Sequence, residues 1–168
     1  MGSGKSTVGK MLASKLGLSF VDTDFLVEER AGRAIKDIFK KEGENHFRRL
    51  EKQAVAEVSS RVGQVIACGG GVVLDEENAR SLKKNGVLIY LRVSPSAVCQ
   101  RTEESTDRPL LNVSEREAKI KKLLCAREEV YEQVADLSVN TSVLTPGQVA
   151  NEIEEELMRR GVVPWSKK

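Results

Sequence analysis

At 168 residues the chain has the length of one domain, and 40% hydrophobic with 31% charged residues is the balance of a globular protein, not of a disordered or fibrous one. Lys and Arg number 27 against 25 Asp and Glu, and a net charge of +2 gives no reason to expect nucleic acid or an anionic membrane as partner. No apolar run approaches the ~18–20 residues of a membrane span, no signal-peptide pattern opens the chain, and a single histidine without a Cys/His cluster excludes the usual zinc sites.

Lys5 to Leu16 carries Val8, Met11, Leu12 and Leu16 as a helical stripe, with Gly17 where a C-cap glycine belongs. A short apolar strand, Leu18 to Val21, stops at Asp22. Two helical stretches follow: Phe25 to Ile38, interrupted at Gly32, then Asn45 to Val62 with Phe47, Leu50, Ala54, Val58 and Val62 on one face. Gln64 to Ala67 reads as a buried strand ending in Cys68 and three glycines. Asp75 to Asn85 is helical, Val87 to Val93 is a strand, and Ser94-Pro95 opens a helix through an N-cap followed by proline. Thr102 to Ser114 is polar and reads as a loop. Glu115 to Val134 is a charged helix, Leu137 to Asn140 a strand, and Thr145-Pro146 starts a last helix burying Val149, Ile153 and Leu157. Short apolar strands alternating with helices predict an α/β fold, a parallel sheet with helices on both faces. There is no internal repeat, linker or low-complexity tract, and the tail from Trp165 to Lys168 reads as frayed. Cys68, Cys99 and Cys125 are widely spaced, lack a C-x-x-C, and read as reduced thiols of a cytosolic protein.

The opening Gly2-Ser3-Gly4-Lys5-Ser6-Thr7 matches the second half of the Walker A pattern. Glycines let backbone N–H groups face phosphate oxygens, and the helix that follows adds the positive end of its dipole. Lys5 can reach the β- and γ-phosphates, and the Ser6 hydroxyl can ligate Mg²⁺. The same residues also fit an N-myristoylation pattern, M-G-x-x-x-[ST], or a plain Gly/Ser-rich terminus. The helix beginning at Lys5 favours the phosphate loop. That loop normally emerges from a strand, and none precedes Met1, so the expectation is a chain lacking its first strand.

A guanine-reading N-K-x-D is absent, as is an apolar strand ending in a Walker B aspartate. Instead Asp22-Thr23-Asp24 follows the first strand, in the crevice position of an open α/β sheet. Gly69-Gly70-Gly71 can bring a ligand against backbone amides, since no Cβ intervenes; alone it would be a turn. Phe47-Arg48-Arg49-Leu50-Glu51 sets Arg48 beside Glu51 on a helix. Arg108-Pro109-Leu110-Leu111 closes the polar loop, and Arg127 lies with Tyr131 on the next helix. Together these motifs, from Met1 to about Gly161, resemble shikimate kinase.

The resemblance implies a three-layer P-loop kinase fold over residues 1–168 as a single domain, with a substrate-binding helical segment at about 24–60 and a lid at about 102–116. It implies ATP and Mg²⁺ as cofactors and shikimate as the partner, in a cytoplasmic monomer. Gly2, Ser3, Gly4, Lys5, Ser6 and Thr7 would hold the ATP phosphates. Ser6 would bind Mg²⁺ directly and Asp22 through water. Asp24 would hydrogen-bond the attacking hydroxyl as candidate base, with Lys5 and Arg108 completing the catalytic set. Arg48 and Arg127 would grip the substrate carboxylate, and Gly69, Gly70 and Gly71 would contact ring hydroxyls. Arg101 would stack on adenine, and Pro146 would stand in the adenine loop.

Each residue also has a plainer role. Arginines on helices are mostly solvated, Asp22 and Asp24 can serve as N-caps, and Glu51 can simply orient Arg48. His46 reads as an exposed helix residue and Cys68 as a small buried filler. The expected activity is transfer of the ATP γ-phosphate to the 3-hydroxyl of shikimate. A gluconate-type sugar-acid kinase, or a non-catalytic nucleotide-binding descendant, is the alternative.

Overall fold

The computed structural model describes residues 2–102 and 113–162. Arg108 and the Pro109-Leu110-Leu111 that follows it, like the tail from Trp165, lie outside the described residues. Helix α1 (Lys5–Leu16) starts from Gly4, whose φ of +84° is a left-handed conformation suited to glycine. It ends at Gly17, whose N–H bonds back to Ala13 and Ser14. Strand β1 (Ser19–Asp22) runs into α2 (Thr23–Ala31), and α3 (Ile35–Ser59) follows. Strand β2 (Gln64–Ala67) leads through the glycine turn and a 3₁₀ turn (Val72–Leu74) into α4 (Glu76–Asn85). Strand β3 (Ile89–Arg92), α5 (Pro95–Thr102), α6 (Val113–Val134), β4 (Leu137–Asn140) and α7 (Pro146–Arg159) complete the order.

The strands are parallel and form two pairs. In one, Ser19 to Asp22 lie beside Gln64 to Ala67; in the other, Ile89 to Arg92 lie beside Leu137 to Asn140. No ladder joins the pairs among the described residues, so the parallel strands expected from the sequence are present as two ribbons. What connects them is the helical layer. Val8 and Leu12 of α1 and Val149, Ile153 and Leu157 of α7 form one core cluster, against which Val65 of β2, Ile89 and Leu91 of β3 and Leu137 of β4 pack. On the other side, Val55 of α3, Val72 of the 3₁₀ turn and Leu82 of α4 pack around Ile66. Val27, Ile38, Phe47 and Ala54 knit α2 to α3. Among the described residues, no helix is long and apolar enough to cross a membrane.

Local chemistry accounts for the boundaries. Asp22 caps α2 and Asp75 caps α4 by accepting backbone N–H bonds. Thr145 and Gln148 form a capping box at α7, with Pro146 in its first turn. Several sequence expectations need correction. Segment α3 is two helical pieces across a kink at Gly43 (φ +80°), the second starting close to the predicted Asn45. It stops at Ser59, leaving Val62 off the helix and 80% exposed. Met11 is also 43% exposed, because the buried stripe of α1 runs through Val8 and Leu12. The polar loop is narrower than predicted, since Thr102 closes α5 and α6 begins at Val113.

Candidate active site

Gly2, Ser3, Gly4, Lys5, Ser6 and Thr7 line one concavity of about 240 Å³ at the start of α1. Three elements converge on it. From the end of β1, Asp22 accepts the Ser6 hydroxyl through Oδ2 at 2.6 Å and the Asp24 N–H through Oδ1 at 3.0 Å. Its two oxygens therefore serve the phosphate loop and the α2 cap at once. From the first turn of α2, Asp24 Oδ2 lies 3.9 Å from Lys5 Nζ. From α5, Arg101 donates to the Gly2 carbonyl at 3.2 Å and to the Thr141 hydroxyl at 3.4 Å and carbonyl. Pro146 is exposed in the first turn of α7.

Asp24 is only partly enclosed, yet its acidity is altered. Burial raises its pKa above the usual carboxylate value; Lys5 opposes the rise, and Asp22 and Glu28 add to it. Between the two aspartates Thr23 is fully buried. Its hydroxyl donates to the Ala67 carbonyl at 3.5 Å and accepts the Gly69 N–H at 2.8 Å. This side chain ties the first turn of α2 to the exit of β2, which brings Asp24 beside the glycine turn.

Two of the glycines bring the backbone close against charged side chains. A Cβ on Gly69 would collide with Asp24 Oδ1 and sit 3.2 Å from Glu51 Oε1, and one on Gly71 would collide with the Arg48 guanidinium. The Gly70 carbonyl accepts from Arg127 Nη1 at 3.1 Å and from the Tyr131 hydroxyl at 2.5 Å. Arg127 and Tyr131 lie four residues apart on α6 and so share a face. The Tyr131 ring packs on Tyr90 of β3 at 5.1 Å between centroids.

Arg48 is held by two acids of its own helix. Its Nη1 donates to Glu51 Oε2 at 2.7 Å, while Nε and Nη2 donate to Glu44 Oε1 at 3.2 and 2.9 Å. Glu51 is 2% exposed, and burial raises its pKa against the opposing effect of Arg48. Its Oε1 is buried with no hydrogen-bond partner among the described residues. Cys68 is partly exposed rather than fully buried. It packs on the Val55–Val72–Leu82 cluster, and burial pushes its thiol up to about 12, which keeps it protonated at neutral pH. His46 is likewise half-buried, with its ring between Glu42 and Arg49.

The structure thus gathers Lys5, Ser6, Asp22, Asp24 and Arg101 around the loop, and Asp24, Arg48 and Arg127 around the glycine turn. Thr23, Glu44 and Tyr131 were given no role from sequence. Thr23 had one available signal, a buriable hydroxyl between two acids at a strand exit. A lysine at a phosphate loop, a half-buried carboxylate and two arginines can move a phosphoryl group onto a hydroxyl of a small anion.

A family model described as shikimate kinase matches residues 1–158. A shikimate kinase of Thermodesulfovibrio yellowstonii is 45% identical over 159 residues, covering 95% of this chain and 91% of the relative. One of Caldanaerobacter subterraneus is 46% identical over 153 residues, covering 91% and 89%. Among solved structures, shikimate kinase from Acinetobacter baumannii in complex with shikimate superposes with a TM-score of 0.87 at 37% identity, covering 95% of this chain and 89% of that one. The shikimate kinase from Aquifex aeolicus gives 0.83 at 34% identity, covering 96% and 94%.

Proposed function

The chain belongs to the shikimate kinase family, and on that premise we propose that it transfers the γ-phosphoryl group of ATP to the 3-hydroxyl of shikimate, giving shikimate 3-phosphate and ADP. The observation that supports this most is that one glycine turn is touched by Asp24, Arg48 and Arg127, with Lys5 3.9 Å from Asp24. A compact acid with ring hydroxyls matches that set: two guanidinium forks for its carboxylate, and a carboxylate for its reacting hydroxyl.

Asp24 holds the acceptor hydroxyl and takes its proton as the O–P bond forms. Its raised basicity suits that role, because a stronger base draws the proton further in the transition state. Lys5 and the loop amides bind the β- and γ-phosphates and offset charge as the phosphoryl group moves. Glu51 Oε1, buried without a partner among the described residues, suits a substrate hydroxyl donor. Ser6 Oγ and Asp22 Oδ2, hard oxygens joined by a 2.6 Å hydrogen bond beside the loop, suit a Mg²⁺ that Ser6 would hold directly and Asp22 through water. Such an ion, when bound, neutralises phosphate charge. Arg101 faces the nucleotide's base from α5, and Pro146 forms the far side of that pocket. Arg108, outside the described residues, would complete the charge around the phosphates, and the segment 24–60 carries the acceptor. The enzyme works as a single-domain monomer in the cytoplasm.

ADP release measured with shikimate, with gluconate and without acceptor tests the reading. Release should require shikimate and stay near background otherwise. Equal rates on gluconate would make it a sugar-acid kinase, and ATP binding without acceptor-dependent turnover would make it a non-catalytic nucleotide binder.

A further inference from the structure

The two acids on Arg48 differ in their freedom to leave. Glu51 takes Nη1 with its side chain 3% exposed; Glu44 takes Nε and Nη2 with its side chain 63% exposed. Withdrawing Glu51 would strand a charge in a dry site. Glu44 can swing into water at little cost. It directly follows the break at Gly43, in the turn where the second half of α3 restarts, one helical turn before Arg48. The edge it occupies is also the useful one. Nε and Nη2 are the parallel pair of donors that receive a carboxylate in fork-on-fork fashion, and here a single Glu44 oxygen bridges both.

We infer that Glu44 is a resident stand-in for the substrate carboxylate: it holds the Arg48 fork in the empty site and must be displaced when the acid binds. This rests on the reading of Arg48 as a carboxylate ligand. Glu44 thereby sets the affinity for an anionic acceptor without touching the reacting atoms. It is a positioning residue with a competitive cost.

The test is Glu44→Gln in the full chain, with steady-state kinetics and calorimetry on shikimate and on its uncharged carboxamide. The KM and Kd for shikimate should fall roughly two- to fivefold, the worth of an exposed ion pair, with kcat and the KM for ATP unchanged. Binding of the carboxamide, which has no charge to compete with, should not change. An unmoved or higher KM for shikimate overturns the inference, the higher value showing that Glu44 assists the acid instead of opposing it. An equal gain for the carboxamide also overturns it. If the wild-type chain shows no shikimate-dependent turnover, or Arg48→Ala leaves the shikimate KM intact, the reading of the site itself fails. Normal wild-type turnover with an unresponsive Glu44→Gln defeats this inference alone.

Discussion

Asp24 carries a cost that its chemistry explains. An acid whose folded pKa is raised binds its proton more readily when folded, so its ionised form destabilises the fold. That penalty is absent at low pH and grows as pH rises from the unfolded value of 3.8 through the folded one. Activity runs the opposite way, because the base must be ionised. Asp24→Asn should therefore raise the melting temperature at neutral pH while lowering kcat by roughly 10²–10⁴-fold. Calorimetry beside initial rates checks both signs, and a mutant that melts lower contradicts the burial account. The flanking glycines divide the labour. Gly69→Ala pushes on Asp24 and should lower kcat; Gly71→Ala pushes on Arg48 and should raise the shikimate KM. Kinetic constants for the pair decide this, and identical effects would refute it. At this scale the sequence spelled out what has a stereotyped pattern, the Gly4-Lys5-Ser6 core. Arg48 stands out from Arg49 by its spacing to Glu51 and by the family resemblance, and the fold adds the glycine turn that Arg48 faces while Arg49 meets His46.

Helix boundaries follow capping chemistry, and so they were largely legible: Gly17, Asp75 and the Thr145–Gln148 box end or begin helices where their residue types require. Faces were less so. Periodicity marks Val62 as apolar but cannot say that the helix has ended by Ser59, which tertiary packing decides. For α6 the sequence gives Arg127 and Tyr131 a common face, but not the Gly70 carbonyl that both contact, 57 and 61 residues away. That bond makes Tyr131 the post against which the glycine turn is fixed. Tyr131→Phe keeps the ring on Tyr90 and deletes the donor. A hydrogen bond is worth about 0.5–1.5 kcal/mol, so the shikimate KM should rise roughly two- to tenfold with the KM for ATP unchanged. A purely structural tyrosine would instead leave the shikimate KM alone and lower only the melting point.

For the whole molecule, alternating strands and helices predicted the class and the parallel direction correctly. Which strand sits beside which is not local information: the pairing of Ser19–Asp22 with Gln64–Ala67 and of Ile89–Arg92 with Leu137–Asn140 is set by tertiary packing. Cohesion between ribbons falls to α1 and α7. Ile153, 2% exposed, stands in the cluster that both ribbons touch. Ile153→Ala should cost about 2–5 kcal/mol, a large share of a domain's typical 5–15. Denaturant titration should show that loss in one transition; separate transitions would mean that the ribbons unfold independently.

Because α1 begins at the phosphate loop and its buried stripe lies against α7, the end that meets phosphate and the helix that binds the ribbons together are one rigid rod. A saturating nucleotide, at about a hundred times its Kd, adds roughly 2.7 kcal/mol to the folded state. That gain should travel along the rod. Backbone amides of α7 around Ile153 and Leu157, turns away from Pro146 at its start, should exchange with deuterium more slowly when a non-hydrolysable ATP analogue is bound. Protection confined to residues 2–8 would show instead that the loop tightens alone.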